Sequence, residues 1–249
     1  MTGPETRENL YGSEPEPPSP RGPGLPDQVA GVFTEPAALF RRLRATPVWG
    51  WAFTLMMAVN VLVVVLWGAR VDVDAFMRPM LEKNPKLTPE MIDQAISGYS
   101  RMIIPLGIFQ VLFAITAILL LTALILWGLA RATAEEGAAA TFRQAWSGVV
   151  VSGLVNLPKG ILLAIICGLR TIGGSRPDQL SPTSLGFYLV PDNVKLHALY
   201  CSLDLFTLAT LVVTWLMMRH TLRAKVSGAA AAVAVMAFFM VGFPLIFAK

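Results

Sequence analysis

The stretch HALYCSLDLFTLATLVVTWLMM, residues 197–218, carries a single charged side chain, Asp204, in an otherwise apolar run. In water such an aspartate would simply face the solvent. In a lipid bilayer an ionised carboxylate is costly, so a partner, protonation or a wet cavity has to accompany it. Whether this run lies in lipid therefore decides how the rest of the chain is interpreted.

The composition favours lipid. Of the 249 residues, 55% are hydrophobic and only 14% are charged, whereas soluble domains carry about 25% charge. The apolar residues are concentrated in five runs, at about 48–69, 102–129, 145–169, 197–218 and 226–248. Each run reaches the ~20 residues that a helix needs to cross ~30 Å of hydrocarbon. Because backbone groups cannot stay unpaired in lipid, we predict an all-α integral membrane protein, a bundle of five transmembrane helices.

The residues before the first run divide into two parts. Residues 1–30 contain seven prolines and four glycines, which predicts a disordered tail, and residues 31–249 form the predicted membrane domain. Within residues 32–44, Leu39, Phe40 and Leu43 share one helical face, which predicts an amphipathic helix lying on the membrane. The side chains predicted to anchor this region at the headgroups are Arg41, Arg42, Arg44 and Trp49.

The remaining connections give the predicted topology. Thr88-Pro89-Glu90 is typical of a helix start, and an amphipathic helix is expected to join the second run near Pro105. Dense basic clusters before the first run and between the fourth and fifth place the N-terminus in the cytoplasm and Lys249 outside. The net charge of +4 is too diffuse to indicate nucleic-acid binding.

No arrangement of residues indicates catalysis or a metal site. The zinc motif H-E-x-x-H and the nucleophile motif G-x-S-x-G are absent. Ser147 and Ser152 each precede a glycine, but neither His197 nor His220 lies at a depth that could activate them. We therefore expect no enzyme activity, no cofactor and no metal. Cys167 and Cys201 are interpreted as small buried residues, although a disulfide between them is geometrically conceivable.

Asp204 and Lys159 form the predicted polar pair inside the membrane. Counted from the ends of their runs, Asp204 lies roughly 10 Å and Lys159 roughly 15 Å from the same face. Asp204 is interpreted as a structural anchor bonded to Lys159, Ser202, Asn156 or Thr207. A recognition site for a lipid or protein partner and a path for protons or ions are the two alternatives.

Several segments together resemble the Ypt-interacting-protein (YIP) domain family, over roughly residues 30–248. The basic segment with Phe33, Pro36 and Phe40 is followed by Pro47 and Trp49. The remaining motifs, in order, are Ala140-Thr-Phe-Arg-Gln144, Pro158, Ser184-Leu-Gly-Phe-Tyr-Leu189 and Leu203-Asp-Leu-Phe-Thr-Leu208.

The resemblance is to the bacterial branch of this family of five-span membrane proteins. It implies a scaffold or adaptor in the bacterial cytoplasmic (inner) membrane that contacts lipids and other membrane proteins and self-associates. The small-GTPase role of eukaryotic relatives is not expected to transfer. The rival hypothesis is a small transporter or channel that uses the polar site around Asp204 and Lys159.

Overall fold

The computed structural model describes residues 22–135, 139–191, 193–242 and 245–246. Within these ranges the regular structure is helical, without β-strands beyond three isolated bridges. The α-helices are α1 Leu25–Thr34, α2 Pro36–Ala45, α3 Gly50–Gly68, α4 Val73–Leu81, α5 Pro89–Gln110, α6 Thr116–Ala132, α7 Phe142–Gly153, α8 Leu157–Leu169, α9 Val194–Ser202, α10 Leu205–His220 and α11 Val226–Ala237. The π-helical turns Val111–Ile115 and Phe238–Gly242 continue α5 and α11, and the 3₁₀ turn Leu154–Asn156 joins α7 to α8.

Three helices of the described chain are long and apolar enough to cross a membrane: Gly50–Gly68, Pro89–Ala132 and Phe142–Leu169. They correspond to the first three apolar runs. The helix expected before the second run does continue into it, because α5 passes through Pro105 and the π turn into α6. Shorter apolar helices, Leu205–His220 and Val226–Gly242, lie within the last two runs. Lys249 and residues 1–21 of the predicted tail lie outside the described residues.

Helix α1 begins at Leu25, before the predicted domain boundary at residue 31. The local sequence explains the earlier start. The Asp27 carboxylate accepts the backbone N–H of Gly24 at 3.1 Å, and an acid in the first turn also suits the helix dipole. Gln28 is buried and donates to the Pro23 carbonyl at 2.7 Å, so these residues pack as part of the fold.

The amphipathic pattern of α2 is present, but its apolar face contacts protein. Leu39, Phe40 and Leu43 are buried in the main core together with side chains of α7 and α10. Thr221, just after α10, donates its hydroxyl to the Phe40 carbonyl at 2.9 Å. The apolar face of this helix is therefore covered by α7 and α10 of the same chain.

The start of α7 fastens three helices together. Thr141 and Gln144 cap the helix reciprocally, the Gln144 side chain accepting the Thr141 N–H at 2.9 Å. The same Gln144 side chain donates to the Arg44 carbonyl at the end of α2, at 2.8 Å. On α6, the Trp127 indole donates to the Ala140 carbonyl at 3.0 Å. This capping box explains the Thr-Phe-Arg-Gln segment in structural terms.

At the opposite end of α3, two connections meet. The backbone after α3 pairs with the one after α8 through a parallel bridge between Val71 and Gly173. Gly173 has φ +57°, in the left-handed region that favours glycine. The Trp67 indole donates to the Ser175 carbonyl at 3.0 Å. These contacts place α4 next to the connection that leads from α8 towards α9.

Candidate functional site at the Lys159–Asp204 pair

Asp204 does not lie inside a continuous helix. α9 ends at Ser202, and Asp204 adopts an extended conformation (φ −123°, ψ 144°) as the residue that caps α10. Its Oδ1 accepts the Phe206 N–H at 2.7 Å. The fourth apolar run, predicted as one helix over 197–218, therefore holds two helices, α9 and α10. An aspartate whose carboxylate accepts an N–H of the first turn favours a new helix start at this position.

The other carboxylate oxygen binds three donors. Asp204 Oδ2 lies 3.0 Å from Lys159 Nζ, 2.8 Å from the Thr183 hydroxyl and 3.1 Å from the Ser181 hydroxyl. The Asp204 side chain has no exposed surface, whereas the Lys159 side chain is 26% exposed. The structure thus brings the two residues of the predicted pair together, with the acid enclosed and the base partly accessible.

Two of these donors were missed from the sequence. Ser181 and Thr183 precede the Ser184–Leu189 segment, and no periodicity links that segment to the membrane helices. The polar neighbours proposed instead have other partners: Asn156 donates to Thr210 at 3.1 Å, and Ser202 donates to its own helix at Ala198.

The segment around Ser184 packs directly against the helix break. Ser184 forms an isolated antiparallel bridge with Asp204, and the Leu185 N–H donates to the Leu203 carbonyl at 3.1 Å. Ser184 is buried, and its hydroxyl donates to the Ser181 carbonyl at 2.9 Å. Hydrogen bonds between the two stretches thus pair backbone groups that helices do not satisfy here.

The close fit at Gly186 reinforces the contact. A Cβ added at this position would meet the Sγ of Cys201 and would lie 2.7 Å from its backbone N. The His197 Nε2 lies 3.2 Å from the Gly186 carbonyl. The contacts of Gly186 with Cys201 and His197 thus fasten the segment to α9.

Chemically, the arrangement holds a carboxylate and leaves it little room for other ligands. Four donors, one of them cationic, converge on the two oxygens of Asp204. Such a network fixes the geometry of the chain around it, and losing one partner leaves the others unsatisfied. Among the described residues, no group of three or more His, Cys, Asp or Glu side chains could hold a metal ion.

Two cavities flank Lys159. The larger has a volume of about 850 Å³ and lies among α4, the 174–179 connection and α9. The smaller has a volume of about 420 Å³ and lies between α3, α6, α7, α8 and α10. Lys159 and Met240 line both of them.

The predicted headgroup anchors lie at the other end of α3. Arg41, Arg42 and Arg44 are exposed, and Arg42 forms a 3.4 Å ion pair with Asp27. Trp49 is 37% exposed. Its ring contacts those of Phe53 and Trp146 edge-on, at centroid distances of 6.1 Å and 5.7 Å. This end of the bundle therefore presents basic and aromatic side chains together.

A family model described as the Yip1 domain matches residues 30–248. Comparisons with curated proteins and with solved structures find no match. The matched region contains every described helix except the first residues of α1.

Proposed function

This multi-pass membrane protein belongs to the Yip1 domain family, and from that premise we propose that it is a non-enzymatic scaffold or adaptor. It acts through contacts with membrane lipids and with other membrane proteins, including copies of itself. We place it in the bacterial branch of the family, in the cytoplasmic (inner) membrane, without a cofactor and without nucleic acid as a partner.

Five passes are proposed for the chain. The first three are α3, the α5–α6 helix and the α7–α8 helix. The fourth consists of α9 and α10, broken at Asp204, because the 16 residues of α10 reach only about 24 Å at 1.5 Å per residue. α11 and the π turn after it supply the fifth. The basic clusters before α3 and before α11 support a cytoplasmic N-terminus.

The observation that carries the proposal is the exposure of the α5–α6 helix. Only 6% of its apolar window is buried in the chain, against 22% for Gly50–Gly68 and 44% for Phe142–Leu169. Its 44 residues span about 66 Å, more than twice the ~30 Å hydrocarbon thickness. We call six of its exposed apolar side chains the outer face: Phe109, Leu112, Phe113, Ile118, Leu121 and Leu124.

The outer face also contains an irregularity. The turn Val111–Ile115 is π-helical, and single π turns within α-helices occur frequently at functional sites. Phe109 and Phe113 stack across it with ring planes 3° apart and centroids 5.9 Å apart. A pair of aromatic rings projecting from a peripheral helix suits contact with a partner helix.

The polar pair supports a scaffold over the transporter hypothesis. A transported ion or proton needs access to the carboxylate, but the Asp204 side chain is fully buried and both its oxygens have donors. A closed carboxylate of this kind supports the anchor interpretation. Lys159 is the more accessible of the two residues, but its ammonium is already paired with Asp204.

Photo-crosslinking in native membranes tests the proposal. A photoreactive residue replaces Phe113 on the outer face, and a matched control replaces Leu208 on α10, since these side chains are 67% and 57% exposed. The proposal predicts discrete protein adducts from position 113, among them dimers of the chain, and mainly lipid adducts from position 208. Lipid adducts alone from both positions would contradict a scaffold role for this face.

A further inference from the structure

The larger cavity beside Lys159 is basic, and we call it the basic cavity. The positively charged or titratable side chains that line it are Lys83, Lys159, Arg176 and His197. Among the lining residues whose side chains the structure describes, none is an aspartate or a glutamate. Its other polar side chains include Gln179, Ser202 and Thr207, all of which can donate hydrogen bonds.

The charges around this cavity are not all balanced. Asp204 compensates Lys159 from behind the cavity wall. Within the described part of the chain, neither Lys83 nor Arg176 forms an ion pair, and the Arg176 guanidinium contacts the Met80 sulfur at 4.0 Å. Among the described residues, two cations therefore line the cavity without an acidic partner.

Arg78 on α4 shows the contrast. It binds Asp74 at 2.6 Å and Asp93 at 2.8 Å. The hydrogen bonds from Arg78 lower the pKa of Asp74 below its usual value. Arg78 thus engages Asp74 and Asp93 and does not line the basic cavity, whereas Lys83 does.

The neighbouring cavity of about 420 Å³ has the opposite character, and we call it the apolar cavity. Most of its lining residues are apolar, with side chains such as Val59, Leu119 and Leu163, and polar ones such as Asn60 and Asn156 are the minority. It meets the basic cavity at Lys159 and Met240, which line both. A molecule that occupied the two together would need an anionic group at one end and a hydrocarbon chain at the other.

We propose that the basic cavity binds the anionic headgroup of a phospholipid, with an acyl chain passing Met240 into the apolar cavity. The phosphate oxygens accept charge-assisted hydrogen bonds from Lys83 and Arg176, and the Lys159 ammonium approaches from the cavity floor. The site deepens the proposed function, since it rests on the chain residing in a bilayer and acting on lipid. Inorganic phosphate shares the headgroup chemistry but lacks the chain that the apolar cavity accommodates.

The test uses the full chain purified in detergent. Native mass spectrometry and thermal unfolding are followed while phosphatidylglycerol, phosphatidylcholine or inorganic phosphate is added. One phosphatidylglycerol per chain and an increase in melting temperature are expected, with neither effect from phosphatidylcholine at the same concentration. Equal effects of the two lipids would overturn the charge argument. A response to inorganic phosphate that equals the response to phosphatidylglycerol would overturn the lipid assignment.

Charge-removing variants distinguish lipid binding at this site from nonspecific attraction of anionic lipid to the basic surface of the protein. The double variant Lys83→Gln/Arg176→Gln removes the two cations that form no ion pair among the described residues. Each single substitution is expected to weaken phosphatidylglycerol binding about fivefold, and the double variant about 25-fold. The control Lys86→Gln/Arg101→Gln removes two exposed charges that line neither cavity. Equal losses in the two double variants would overturn the proposal. The crosslinking test at Phe113 does not depend on these lipid measurements. Failure of the lipid site can therefore be distinguished from failure of the scaffold role.

Discussion

Replacing Asp204 by alanine should destabilise the protein more than replacing it by asparagine. Alanine removes the acceptor for Lys159 Nζ, the Phe206 N–H and the hydroxyls of Ser181 and Thr183. Asparagine keeps the side-chain oxygen that can accept the Phe206 N–H and loses the negative charge. The two variants therefore separate the network geometry from the charge.

The magnitudes follow from burial. Removing one partner of a buried ion pair costs about 3–5 kcal/mol, and the partial exposure of Lys159 lets water solvate the freed ammonium. The lower end, about 3 kcal/mol, is therefore expected from the lost pair, with about 1 kcal/mol more from the lost cap of α10. Asparagine should cost about 1 kcal/mol less than alanine, because its amide oxygen can still accept the Phe206 N–H, whereas its NH₂ group cannot accept from Lys159, Ser181 or Thr183.

The assay is the free energy of unfolding in mixed micelles, where increasing SDS unfolds the purified variants. The matched control is Asp93→Ala, which removes an ion-paired but exposed carboxylate on α5 and should change little. Full stability of both Asp204 variants would refute the anchor. Equal losses from alanine and asparagine would show that the charge alone matters and would refute the role assigned to the oxygen acceptors.

Two further predictions concern the packing that surrounds the anchor. Thr221→Val removes the buried hydroxyl bound to the Phe40 carbonyl and should lower the free energy of unfolding by about 1–2 kcal/mol, while Thr221→Ser should not; equal losses would contradict the bond. Gly186→Ala places a Cβ against the backbone of Cys201 and should cost about 1–3 kcal/mol. Gly98→Ala, where nothing lies within 4 Å, should be neutral or stabilising; a harmless Gly186→Ala in the same unfolding assay would show that the segment is not held in contact with α9.

The sequence alone was sufficient for the features that depend on periodicity and length. Apolar runs of membrane length predicted the three long helices, and the helix that enters the second run near Pro105 follows from its Thr88 cap and its spacing. Counting rise per residue from the run ends placed Asp204 and Lys159 at similar depths, and the structure brings them within 3.0 Å. The two side chains meet although the count for Asp204 assumed a continuous helix, which is interrupted between Ser202 and Leu205.

Other features were not accessible by that route. The path of the segment with Ser181 and Thr183 depends on tertiary contacts, so its two hydroxyls could not be assigned to Asp204. The break before α10 did carry a local signal, because Asp204 is a good cap followed by apolar residues. The apolar run around Asp204 has the length of a membrane span, so it was predicted as one continuous helix. The amphipathic pattern of α2 likewise indicates that an apolar surface covers one face of the helix. Lipid and protein produce the same pattern, so the sequence did not identify α7 and α10 as the covering surface.

Labelling with a membrane-impermeant maleimide tests most directly whether the carboxylate network is closed to water. In a cysteine-free background, Ser184→Cys probes the network, since Ser184 is 1% exposed. Ser97→Cys on the exposed side of α5 serves as the reactive control. In membranes opened so that the reagent reaches both faces, position 97 should react and position 184 should stay unmodified until the protein is denatured. Labelling of position 184 as rapid as that of position 97 would contradict the account.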